Sequence, residues 1–238
     1  MFNLKEKLEF LEDGIDFPFY NDIPKLSSKE WGILAIAVIV FFLFTYMPWI
    51  LPQYRFFVYF LIMIIPLIYV CKGDYSIFFK KLKLRDAKTI ILCYILYIIY
   101  AAVVGAIMTH FGNPPATDAS LASKSLLMAV VSLIFQLVGE EFFKIFLLLI
   151  FMYLIYKFTG NRNMAIWIGV LATLLIFGIA HMSAYGNLMQ VLLIQGLGSI
   201  FDLYAYMKTK NVLVSYILHL IIDLVSSIVY VVGTGMVF

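Results

Sequence analysis

Seven apolar runs of roughly 20 residues each dominate this 238-residue chain. In a bilayer no water can satisfy a free backbone N–H or C=O, so runs of this length resolve into spanning helices. We place them near 31–51, 55–71, 89–111, 125–157, 164–184, 187–207 and 211–237. The composition agrees: 64% of residues are hydrophobic and 13% charged, against about 25% charge in a soluble domain. Mean hydropathy is +1.00. The expected fold is all-α, a polytopic transmembrane bundle. It consists of a cytoplasmic or interfacial segment, 1–30, and a single transmembrane domain, 31–238. Nothing in this composition suits nucleic-acid binding.

Lys and Arg are distributed in alternation. Fourteen lie in the N-terminal tail, segment 72–88 and the turns 157–163 and 208–210; Arg55 and Lys124 lie in the other set of loops. Basic residues stay on the cytoplasmic side, so the N-terminus is expected there and the C-terminus outside. No small-residue cleavage site follows the first apolar run, which is therefore expected to be retained. Leu4, Leu8, Phe10 and Leu11 suit a short interfacial helix or a solvated tail. Segment 72–88 (KGDYSIFFKKLKLRDAK) is expected to lie on the membrane surface. Cys71 and Cys93 form no metal spacing and read as apolar fillers. Lysine is strongly preferred to arginine, and Ile, Phe and Tyr are abundant. That usage suggests a bacterial source, and hence a multi-pass protein of a bacterial plasma membrane.

Glu140 and Glu141 stand together inside the apolar stretch from Ser125 to Phe158, with Lys144 one turn on. A central carboxylate costs ~2.5–3.5 kcal/mol to insert, so such groups face a protein interior and find partners there. Both acids reach Lys144 along one helix, at i, i+4 and i, i+3. His181, His219 and Asp223 interrupt later apolar runs, and His219 and Asp223 share a helical face. Rise per residue puts Glu140 and Asp223 near mid-membrane, His219 about a turn lower and His181 nearer the outer end. A carboxylate beside an imidazole can activate water, and a second imidazole can stabilise an oxyanion. The same four groups suit a divalent metal such as zinc. Asp202 reads as structural or interfacial; Gln136, Gln190 and Gln195 as interhelical hydrogen-bonders; Gly196 and Gly198 as points of close helix approach.

G-E-E-F-F-K, then F-G-I-A-H at Phe177–His181, then H-L-I-I-D at His219–Asp223 resembles the CPBP family of intramembrane proteases (CAAX protease and bacteriocin-processing, or Abi). The resemblance covers about 125–226. One departure is clear: the family motif is E-E-x-x-x-R, whereas here Lys144 gives E-E-x-x-K, similar to PrsW-type intramembrane proteases. The resemblance implies an intramembrane endopeptidase in which Glu140, helped by His181, activates water. His219 and Asp223 would stabilise the oxyanion, and Glu141 and Lys144 would be a supporting pair. It implies no required cofactor, with zinc on Glu140, His181, His219 and Asp223 as the alternative. The partners implied are membrane lipid and a peptide or membrane-protein substrate, in the setting of peptide or bacteriocin processing or self-immunity, with a bacteriocin or sensor partner. Two other readings of the buried groups are a catalytically silent scaffold or immunity protein, and a proton-coupled transporter. No inverted repeat is visible to support the latter.

Overall fold

The computed structural model describes residues 10, 14–51, 53–116 and 126–234. Among them the regular structure is helical. We number the main helices α1 (Ser28–Thr45), α2 (Arg55–Cys71), α3 (Leu84–His110), α4 (Leu126–Thr159), α5 (Arg162–Ala180), α6 (Leu188–Thr209) and α7 (Val212–Thr234). Five of these are long and apolar enough to cross a membrane; α2 and the described part of α7 are shorter apolar helices. The chain is a multi-pass membrane protein, with each expected apolar run in one helix.

Two edges differ from expectation. α1 ends at Thr45, short of 51, because Pro48 and Pro52 disfavour helix in the residues before them. α3 begins at Leu84, inside the stretch expected to lie on the surface. Most of the remaining residues, 72–83, are exposed, but the stretch is anchored to the bundle. Phe78 is fully buried, its ring set against Phe19, Phe142 and Phe146. Its carbonyl accepts from Val212 N at 2.9 Å. Asn211 pins the same stretch of chain by accepting from Lys80 N and donating to Lys80 O.

The N-terminal segment is also part of the core. Leu4, Leu8 and Leu11, expected on an interfacial helix, lie outside the described residues. Phe10, Phe17, Phe19, Tyr20 and Leu26 are buried in the main apolar cluster. Asp16 accepts from the Arg162 guanidinium at 2.6 Å, and Tyr20 stacks edge-on with Tyr156. Such a segment has neither a helical nor an alternating apolar period, so its burial is invisible to pattern reading.

These contacts gather the N-terminal segment, 72–83, the α4–α5 turn and the α6–α7 turn at one end of the bundle. They are the Lys/Arg-rich segments. At the other end Ser183 Oγ donates to Thr45 O and Tyr46 OH to Ile179 O. There Asn187 and Asn113 exchange side-chain hydrogen bonds, and Gln190 pairs both ways with the backbone of Ala116.

α4 is the central helix, packed against α1, α2, α5 and α7. Close approach is built in: a Cβ on Gly139 would lie 2.7 Å from Tyr59 O, and one on Gly178 would lie 2.4 Å from Val191 O. Gly196 faces Gly178 at the α5–α6 crossing, as its expected role requires, whereas Gly198 has ordinary clearance. α6 is not uniform. Its first turn, Leu188–Gln190, passes into a π turn at Val191–Gly196, then a 3-10 turn at Leu197–Ser199, before α-helix resumes at Ile200. Tyr100 OH donates to Leu193 O within the wide turn.

Candidate active site

α4, α5, α6 and α7 surround a cavity of about 280 Å³ lined by Glu140, His181, Asp202, His219 and Asp223, with Gln136, Phe177 and Gln195 among its walls. The structure thus brings all four sequence-predicted residues to one space.

Glu140 is 7% exposed. Its Oε1 accepts from Gln136 Nε2 at 2.8 Å, one turn earlier on the same helix, so Gln136 acts within α4 rather than between helices as expected. Oε2 is left to the cavity. There it faces His181 Nε2 at 3.8 Å and His219 Nε2 at 3.9 Å. These gaps are too wide for direct hydrogen bonds; a water bridging either pair at hydrogen-bond length would sit in the cavity, beside the line joining the two atoms.

His181 is the C-cap of α5. Its Nδ1 lies 2.8 Å from the Phe177 carbonyl. A carbonyl can only accept, so Nδ1 carries a proton and donates it to Phe177 O, which turns Nε2 toward Glu140. The F-x-x-x-H spacing is that of the i−4 carbonyl. The Phe177 ring serves a second purpose: it lies 4.7 Å from the His181 ring and 4.8 Å from Lys144 Nζ.

His219 is anchored from below. Its Nδ1 donates to Glu141 Oε1 at 2.7 Å, so its Nε2 points to Glu140 and to Asp223 Oδ2, 3.8 Å away. Tyr216 OH donates to Ile134 O, tying α7 to α4 on the same side.

Beneath this layer lies a fully buried ionic cluster. Lys144, 0% exposed, donates to Glu141 Oε1 at 2.6 Å and makes a close ion pair with Asp202. Asp202 is 3% exposed. In sequence it reads as a structural or interfacial group near the basic end of its span, and nothing there marks it as part of the site. The irregular winding upstream explains why. A π turn holds more residues than an α turn, so the face that Asp202 presents cannot be extrapolated from a 3.6-residue period.

Two donor sets in this site suit a divalent ion by type. Atoms of Glu141, Asp202 and His219 lie within 4.8 Å of one another, but the Lys144 ammonium already stands among them and supplies the positive charge. The other set is the expected one, Glu140, His181, His219 and Asp223. Its cavity-facing carboxylate and imidazole atoms are of the right kind for zinc.

Fold and site define a multi-pass helical membrane protein with a carboxylate–imidazole centre buried among four helices. Residues 122–225, which hold all three motifs, match the family described as Rce1-like: type II CAAX prenyl endopeptidase Rce1-like. The match supports membership of the CPBP/CAAX protease family, whose members are protease-type hydrolases. No curated protein and no solved structure matches the chain.

Proposed function

We propose that this chain is an intramembrane endopeptidase that cleaves a peptide bond of a membrane-associated peptide or protein with water activated by Glu140. The observation that carries the proposal is the convergence of His181 Nε2 and His219 Nε2 on Glu140 Oε2, at 3.8 and 3.9 Å.

The geometry divides the work. A water held between Glu140 Oε2 and His181 Nε2 gives its proton to Glu140 as its oxygen attacks the scissile carbonyl carbon. Gln136 fixes the other Glu140 oxygen, so the base meets that water with Oε2. The carbonyl oxygen becomes an oxyanion, and Nε2 of His219 faces the same space. With Nδ1 committed to Glu141, Nε2 donates to the oxyanion as part of an imidazolium, flanked by the carboxylates of Glu140 and Asp223. The proton on Glu140 then passes to the departing amine, and the C–N bond breaks. Glu140 and His219 are only 9% and 11% exposed at the side chain, and the lower dielectric around them strengthens their interactions.

If a zinc ion were held by Glu140, His181, His219 and Asp223, it would supply Lewis acidity and lower the pKa of a bound water. The residue roles above need no such ion. Peptide or bacteriocin processing and self-immunity, in a bacterial plasma membrane, are the settings we favour, because the motifs resemble those of the CPBP family.

The test is purified wild type against Glu140→Gln on a membrane-peptide library, each with and without chelator. Wild-type cleavage that survives chelation and falls ~10²–10⁴-fold in the variant is expected. Loss on chelation with zinc rescue would replace the metal-free mechanism. Equal cleavage by both proteins would remove Glu140 from it. If wild type cuts nothing while Glu140→Gln still protects cells from a toxin, the protein is a scaffold or immunity protein.

A further inference from the structure

The Lys144 ammonium has three donors and a crowded environment. It lies 2.6 Å from Glu141 Oε1, in a close pair with Asp202, under the Phe177 ring at 4.8 Å, and 3.4 Å from His219 Nδ1. His219 Nδ1 donates to the same Glu141 oxygen at 2.7 Å. Two donors of positive character therefore share one carboxylate oxygen, that of Glu141, whose side chain is 1% exposed. Without a counterweight, the stronger point charge would take both oxygens of Glu141 and displace the imidazole.

Asp202 is that counterweight. It comes from a different helix and meets Nζ from the α6 side. Its nearer oxygen is 3.8 Å from His219 Nδ1, too far to replace Glu141 as the ring's acceptor. The π and 3-10 turns at 191–199 precede it and set its face toward α4.

We propose that Asp202 is a positioning residue, which shares the Lys144 ammonium with Glu141 so that Glu141 can also orient the His219 ring with Nε2 toward Glu140 and the cavity. The proposal rests on the protease reading for its consequence, although the orientation itself does not. Asp202 acts through Lys144 and Glu141, and the i, i+4 cation of this chain works in place of a differently spaced one because α6 supplies an anion to receive it.

The test compares wild type, Asp202→Asn and Asp202→Glu in lipid nanodiscs with two readouts. The first is the ¹⁵N signal of histidine-labelled protein. The chain has three histidines, so His110→Asn and His181→Asn variants assign His219. Wild type should show His219 with a protonated, hydrogen-bonded Nδ1; Asp202→Asn should lose that signature, and Asp202→Glu should keep it at least in part. The second is peptide cleavage. Asp202→Asn should lower kcat about 10–100-fold, the scale of a misplaced catalytic group, with KM within about twofold, and Asp202→Glu should recover part of the loss. An unchanged His219 signal with unchanged kcat in Asp202→Asn, while Glu140→Gln is inert, would overturn the proposal and leave the protease reading standing. A loss confined to folding yield, with the His219 signal intact, would also overturn it. If wild type cleaves nothing, the protease reading falls and the ¹⁵N signal alone decides whether Asp202 orients His219.

Discussion

Glu140 Oε2 and His181 Nε2 face each other across 3.8 Å although they belong to different helices. α4 carries the acid within a regular helix, while α5 presents His181 at the residue where its own helix stops. The histidine is free to lean back toward α4 because its Nδ1 is satisfied by Phe177 O. The distance between the two groups is therefore set by how α4 and α5 are held.

The first prediction concerns the helix that α5 crosses. Gly178 approaches α6 so closely that a Cβ would meet Val191 O at 2.4 Å and Gly196 Cα at 3.0 Å. Both obstacles are backbone, so neither can swing away. Gly178→Ala should cost at least ~1–3 kcal/mol, as overpacking does, and displace His181, three residues on. Thermal unfolding in detergent should show a lowered midpoint. A stability equal to wild type would mean that α5 and α6 do not cross here.

Lys144 gives a second. Removing it leaves two carboxylates, 1% and 3% exposed, without the ammonium that pairs with both. Lys144→Met should cost ~3–5 kcal/mol and reduce the yield of folded protein sharply. Lys144→Arg keeps the charge but forces a larger planar group beneath Phe177, so it should fold better than Lys144→Met yet below wild type. Size-exclusion profiles and yields would decide the order. Equal yields for all three would contradict a structural role for the buried cluster.

A third concerns acid stability at the basic end. Burial pushes the Asp16 carboxyl up, but hydrogen bonds from Arg162, Tyr20 and Phe17 N, together with the guanidinium charge, outweigh it and hold the pKa below the usual carboxylate value. A depressed folded pKa contributes stability that is present above the unfolded value, about 3.9. It is lost as pH falls through the folded value. Wild type should therefore lose stability below about pH 4, with the N-terminal segment detaching first. Asp16→Asn should start lower at neutral pH and change less on acidification. Hydrogen exchange at residues 14–27 would follow it; an identical acid profile in both proteins would contradict the pairing.

The fourth is topological. Tags at the N-terminus and near Lys80 should report cytoplasmic, and tags at the C-terminus and near Pro114 external, as the distribution of Lys and Arg requires. The structure puts the N-terminal segment and residues 78–80 at one end, through the Phe19–Phe78 contact and the Asn211–Lys80 pair. A cysteine-accessibility map with both termini on one side would contradict seven crossings.

The features legible in the sequence are those that depend on local spacing. The cost of burying Glu140 and Glu141 demands partners, and i, i+3 and i, i+4 arithmetic finds Lys144 and the His219–Asp223 pair. Depth along ideal helices serves less well. It sets His181 apart from Glu140, whereas the two side chains face each other across 3.8 Å, since it takes no account of how α4 and α5 cross. Asp202 escapes because the π turn at Val191–Gly196 breaks the period on which face assignments rest. The burial of Phe17, Phe19 and Phe78 escapes because irregular segments carry no period, and only tertiary contacts show where their rings go.

The central claim is that Glu140 and His181 act on one water. A double-mutant cycle measures this most directly, with kcat determined for wild type, Glu140→Gln, His181→Ala and the double variant on one peptide substrate. Groups that act as a unit are strongly non-additive. Each single variant should lose ~10²–10⁴-fold, and the double variant should be no slower than the worse single one. Losses that multiply, or a His181→Ala enzyme as fast as wild type, would contradict the claim.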